Sequence, residues 1–232
     1  MFKLHFASSN EQWLQEVKTQ FQTIPLSSVS FTHGHLASIP KEGTVFLSPT
    51  TSYGMSESDD LNEFIQEKVF PGYSHKITRK IKQLGIKDTN GHHYLPVGSA
   101  VITQMGGNTA ILTTSTLFTE TTRSRKRTIY NAFMAALLLM KKYNTLARLD
   151  NRMGCTIKKT FGYSYQSVPF TTLVVPSMYQ TTCIQEAVAE LRKAYDDFIV
   201  GDVPKEHSFH QNPKLFLSLS IDTPKEPNHT TH

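Results

Sequence analysis

The sequence predicts an α/β fold: a three-layer α/β/α sandwich with a mixed, mainly parallel central sheet. Three observations carry this. Short β-type runs alternate with amphipathic helical runs as far as residue 200, the pattern of a parallel sheet covered on both faces. Gly106-Gly107-Asn108, a strong turn signal, breaks two further strands. The segment from Thr128 to Tyr143 is apolar nearly all round, so it must be buried on more than one side.

The elements follow in order. Phe2 to Phe6 alternates weakly and reads as a first strand. Ser9 with Gln12 matches a capping box, and behind it Trp13, Val17, Phe21 and Ile24 share one helical face. Val29 to Phe31 and Val45 to Leu47 read as strands, the second apolar enough to be buried. Ser56 with Asp59 opens a further helix whose stripe is Leu61, Phe64, Ile65 and Val69. His75 to Leu84 is another helix, stopped by Gly85. Ala100 to Thr103 and Ala110 to Ser115 are the two strands broken by that turn, and Leu173 to Val175 is a central strand ended by Pro176. Thr182 with Gln185 caps the last helix, where Ile184, Val188, Leu191, Tyr195 and Phe198 keep one face. Residues 1–200 thus form one domain. Residues 201–232, with Pro204, Pro213, Pro224, Pro227 and a histidine-rich end, read as a mobile tail in which Leu215 to Leu219 could add a strand.

Composition narrows the function classes. Hydrophobic content of 38% and charged content of 19% suit a soluble globular protein. The longest apolar run, Ala132 to Met140, falls well short of the ~20 residues of a membrane span. No basic stretch leads into an apolar one at the start, so no secretory leader is expected. Two cysteines, Cys155 and Cys183, point to a reducing, cytoplasmic setting without a disulfide framework. Neither cysteine has a recognisable base, so both read as structural. Gly-x-Ser-x-Gly and Gly-x-x-x-x-Gly-Lys are absent, which removes the common serine hydrolases and nucleotide triphosphatases. His33 with His35, and His92 with His93, supply too few ligands for a metal, and no cofactor is expected.

In a parallel sheet, ligands sit at the carboxyl ends of strands, where helix N-termini aim N–H groups at an anion. That directs attention to the loops 48–60 and 176–182. Ser48-Pro49-Thr50-Thr51-Ser52-Tyr53-Gly54 resembles the Ser-Pro-Ala-Asn-Ser-Phe-Gly segment of stand-alone macro domains. Leu95-Pro96-Val97-Gly98-Ser99-Ala100-Val101, Ala132-Phe133-Met134-Ala135-Ala136-Leu137 and Ala194-Tyr195-Asp196-Asp197-Phe198 are similar to three further segments of that family, in the same order. The resemblance implies binding of ADP-ribose or a related nucleotide or phosphate ligand by His35, Thr50, Thr51, Ser52, Gly54, Ser177, Met178 and Tyr179. Thr51 stands where macro hydrolases place an asparagine, which implies binding without catalysis. The alternative is a hydrolase using Thr51 and Asp60. Asp59 and Asp60 also suit the dipole of the helix they open.

Net charge is +5, and it is unevenly placed. Residues 121–160 hold ten Lys or Arg against Asp150, a balance of +9, which leaves −4 for the rest. Within the stretch 145–170, a basic and aromatic insertion, Arg148, Arg152, Lys158 and Lys159 are interleaved with Phe161, Tyr163, Tyr165 and Phe170. Cations beside rings suit RNA or another polyanion. A scaffold role with a decayed ligand pocket is the companion reading, and a hairpin packing its rings inward is the plain one.

Overall fold

A computed structural model describes residues 2–34, 39–54, 64–65, 70–106, 108–117, 128–153, 168–178 and 183–202. The elements are β1 (Lys3–Ser8), α1 (Glu11–Phe21), β2 (Val29–His33), β3 (Thr44–Thr51), α2 (Tyr73–Leu84), β4 (Ala100–Gly106), β5 (Thr109–Leu117), α3 (Thr128–Met153), β6 (Thr172–Val175) and α4 (Ile184–Val200). The six strands form one sheet in the order β2-β1-β6-β3-β5-β4. Every neighbouring pair is parallel except β4 with β5. The mixed, mainly parallel α/β architecture is therefore as the sequence predicts.

Strand alternation divides the core between two faces. Leu4, Phe6, Val45, Leu47, Leu112, Leu173 and Val175 meet α1, α3 and α4 on one face. Ala7, Phe46, Val101, Ile111 and Val174 meet Ile77, Ile81 and Leu84 of α2 on the other, with Ile65. Phe133, Met134, Ala136, Leu137 and Met140 of α3 are all fully buried, so this helix is enclosed as its composition requires. Each large apolar side chain so placed contributes about 1.5–3 kcal/mol.

Four boundaries differ from expectation. The α1 cap is Asn10, not Ser9: Asn10 is extended (φ −79, ψ 104) and its Oδ1 accepts from Trp13 N at 2.8 Å. Ser8 Oγ in turn accepts from Asn10 N. With the start moved by one residue, Gln12 no longer holds the position from which it would bond back to the cap. At α4 the cap residue is Cys183 rather than Thr182, and it makes no side-chain cap bond. Helix α3 runs past Tyr143 to Met153, because Leu146 and Ala147 continue its apolar side and no Gly or Pro intervenes before Gly154. Strand β3 continues past Leu47 to Thr51, so the first four residues of the expected loop 48–60 are strand.

Several readings lie outside the described residues: the helix 56–69 apart from residues 64 and 65, the insertion from 154 to 167, and the tail from 203 onward. Phe170, the last ring of that insertion, is buried against Tyr143 at a centroid distance of 4.7 Å and is no stacking platform. Asn144 fixes the approach to β6, donating from Nδ2 to Phe170 O (2.7 Å) and accepting from Phe170 N at Oδ1 (2.9 Å). Among the described residues, no helix is long and apolar enough to cross a membrane.

Candidate functional site

The register of the sheet makes a notch at its carboxyl edge. Strand β6 has four residues, and its pairing with β3 ends at Phe46–Val174. On that side β3 goes on to Thr51, held by β5 through the pair Thr51–Leu117. On the other side β1 passes its last β6 partner at Phe6–Val175 and continues to Ser8. Short β6 thus lies between two longer neighbours, and Pro176, Ser177 and Met178 continue from the floor of the gap. Pro49, which has no N–H to give a ladder, lies past the stretch of β3 that is paired on both sides.

The outgoing connections sharpen this into a crevice. From β6 the chain enters α4 on one face of the sheet, whereas from β3 it proceeds to α2 on the opposite face. Adjacent parallel strands that feed opposite faces form a topological switch point, the usual place for a ligand in an open α/β sheet.

Of the residues nominated from the sequence, Thr50, Thr51, Ser52 and Gly54 come together on the β3 side, and Ser177 and Met178 on the β6 side. Thr50 and Ser52 are buried at 1% and 0% exposure, and Met178 packs into the core. Thr50 Oγ1 donates to Thr114 O at 3.3 Å, so its hydroxyl ties β3 to β5. Ser52 O accepts from Leu95 N at 2.7 Å, and Gly54 N donates to Thr51 O at 2.9 Å, which closes the turn leaving the strand. Gly54 has φ 78, and a Cβ there would stand 2.8 Å from Ile81 Cδ1. His35, Asp60 and Tyr179 lie outside the described residues.

The basic candidates stand elsewhere. Helix α3 begins beside the carboxyl edge, where Gly98 meets Asn131, and descends until Asn144 meets Phe170 ahead of β6. Arg148 is exposed beyond that point, at the opposite end of the sheet from the notch. Arg152 lies on the last turn of α3 with its side chain outside the described residues, as are Lys158 and Lys159. On the same helix, burial draws the Lys142 amine down to about 8.

A second feature was not singled out from the sequence. Residues 86–94 form a small hairpin, with Asp88 N donating to His92 O (2.9 Å), Tyr94 N to Ile86 O (3.2 Å) and Gly91 N to Asp88 O (3.1 Å). The Asp88 carboxylate holds the bend, accepting from Asn90 N (2.9 Å) and His92 N (2.8 Å). Tyr53 Oη donates to its other oxygen at 2.8 Å and fastens the hairpin to the end of β3. Burial pushes this carboxyl up, but the bonds from Tyr53, His92 N and Asn90 N outweigh it and hold the group below the ordinary carboxylate range. Between the hairpin and α2 lies a cavity of about 290 Å³, walled by Tyr53 and Ile81 and rimmed by Thr78, Lys82, His92 and His93. Asn90-Gly91 is a strong turn signal that could have located the hairpin. Nothing local links Tyr53 or Lys82 to it. Among the described residues, no three His, Cys, Asp or Glu side chains converge as a metal site would need.

Neither the family models nor the curated proteins include a match to this chain. Among solved structures it is similar to a macrodomain of Oceanobacillus iheyensis in a substituted form, with a TM-score of 0.36 and 10% identity over 71% of this chain and 88% of that one. A second substituted form of that macrodomain, with ADPR, gives 0.35 and 11% over 69% and 88%. The same macrodomain with ADP gives 0.34 and 13% over 71% and 87%. The α/β fold of this chain stands on its own strand order and pairing.

Proposed function

We propose that the chain binds ADP-ribose or a related nucleotide or phosphate ligand in the notch above β6, and does so without turning it over. The observation that carries this reading is the shortness of β6 between β1 and β3 at the switch point. The start of α4 supports it. Its cap residue, Cys183, makes no side-chain cap bond, and an anion at this helix start would meet the first-turn N–H groups. In this reading Gly54, Thr51 and Ser177 border the ligand, while Thr50, Ser52 and Met178 contribute backbone and shape. His35 and Tyr179 enter by the sequence resemblance. That resemblance also argues for binding over hydrolysis, since Thr51 lacks the two amide donors of an asparagine. Arg148 and its neighbours form no part of the reading.

Calorimetry with ADP-ribose tests it. The expected affinity is weak, between about 10 μM and 1 mM, or roughly −7 to −4 kcal/mol. Ser177→Trp, which fills the notch from its floor, should abolish the heat of binding. Binding unaffected by Ser177→Trp, or no binding at several millimolar ligand, overturns the assignment.

A further inference from the structure

The cavity beside Tyr53 offers chemistry that the notch does not use. Among the described residues no acid lines it: Asp88, which accepts from Tyr53 and two backbone N–H groups and lies 3.5 Å from His92 Nδ1, is absent from the cavity wall. The polar groups on the rim are instead a lysine, two histidines and a threonine. Thr78 Oγ1 is spent on Ser74 O of its own helix. Lys82 makes no ion pair among the described residues. His93 Nδ1 is buried without a hydrogen-bond partner among those residues. His92 is 70% exposed and stands edge-on to the Tyr53 ring at 6.4 Å.

Size and wall chemistry specify the rest. A volume of about 290 Å³ holds the liquid share of about ten waters, more than a bare phosphate fills. The surplus lies against carbon, the Tyr53 ring and the Ile81 side chain, where a small ring would pack offset or edge-on. We propose that this cavity is a second ligand site, for a small phosphate monoester with an aromatic or apolar body. Its phosphate lies between Lys82, His92 and His93, and its body lies on Tyr53 and Ile81. The hairpin supplies two of the three cationic or donor groups from one rigid bend, so the site is formed before the ligand arrives.

The probe is phenyl phosphate, followed by amide NMR titration alongside inorganic phosphate and phenol. Phenyl phosphate should shift the amides of Tyr53, Ile81, Gly91 and His92 and bind more tightly than either fragment. Lys82→Gln, a change at an exposed position, should weaken phenyl phosphate by about fivefold, the upper range for a solvent-exposed charge contact. The same variant should leave phenol unchanged, and Lys76→Gln, also on α2 but outside the cavity, should leave both unchanged. Phenol binding as tightly as phenyl phosphate refutes the proposal. So does an unchanged affinity in Lys82→Gln, or shifts centred on Ser177 and Thr51 instead. ADP-ribose titrated into Lys82→Gln separates this site from the notch, because the two readings fail independently.

Discussion

Gly98 and Gly54 give a controlled comparison, since both have φ 78 and both are packed against a helix. Replacing either with alanine imposes the same left-handed strain, about 1–2 kcal/mol. The smaller freedom of the unfolded alanine chain offsets about 0.4–1 kcal/mol at each. What differs is the obstacle. At Gly54 a Cβ stands 2.8 Å from Ile81 Cδ1 and 3.3 Å from Ile77 Cγ2, both ends of side chains. Ile81 can turn Cδ1 aside at an off-rotamer cost of about 0.5–1.5 kcal/mol. At Gly98 a Cβ stands 2.7 Å from Asn131 Cβ, an atom fixed to the backbone of α3 that moves only with the helix. Overpacking of that kind costs about 1–3 kcal/mol, or more when an enclosed helix must shift. Gly98→Ala should therefore destabilise by about 1–5 kcal/mol and Gly54→Ala by about 0.5–3 kcal/mol, with the larger cost at Gly98. Urea unfolding with comparable m-values reads both. A further arm isolates the contact: Ile81→Val deletes Cδ1, so Gly54→Ala in that background should cost about 0.5–1 kcal/mol less than in the parent. Equal costs at the two glycines, or no coupling to Ile81→Val, would refute the reasoning.

Other consequences follow from single groups. Asn144→Ala removes both bonds to Phe170 and leaves its N–H and C=O buried, for a loss of about 2–5 kcal/mol in urea unfolding; a loss under about 1 kcal/mol would mean that water replaces the amide. Glu190 of α4 caps α3 through Oε2, which accepts from Tyr130 N at 3.0 Å, so Glu190→Ala should cost about 0.5–2 kcal/mol by the same assay, and an unchanged midpoint would discount the cap. His5 is held below its ordinary value of 6.5, first by burial and then by the charge of Lys3. The unfolded chain therefore takes up the proton first as pH falls below 6.5, and stability declines until the folded pKa is passed. His5→Gln should flatten that decline below pH 6.5 relative to the parent, and parallel profiles would remove His5 as its source.

The elements that sequence made legible are those where local pattern and burial agree. Val45, Phe46 and Leu47 form a short apolar run and are buried on both faces, and the apolar circumference of α3 matches its enclosure between the sheet and α4. Boundaries failed where two local signals compete. Ser9 and Asn10 are both good cap residues, and the Gln12 spacing favours the wrong one. The backbone decides, because β1 continues through Ser8 and its hydroxyl accepts from Asn10 N. Ser48 to Thr51 looked like loop because every side chain but Pro49 carries a hydroxyl. Yet Ser48 shares a hydrogen bond with Tyr73 at 3.0 Å and Thr50 bonds across to β5, partners 25 and 64 residues away that no local window contains.

The same distinction explains the two candidate sites. Parallel-sheet logic points to the carboxyl ends of β3 and β6 from sequence alone. The notch itself, however, is a matter of register, of where β6 stops relative to β1 and β3, and a one-residue slip would redraw it. The second cavity depends on still longer links. His92 and His93 are adjacent in sequence, but on their own they are too few to suggest a site. Their setting comes from Tyr53, which reaches across 35 residues to Asp88, and from a face of α2 that brings Lys82 alongside. Tyr53 immediately precedes Gly54, so one short turn at the end of β3 bounds the notch with one residue and the cavity with the other.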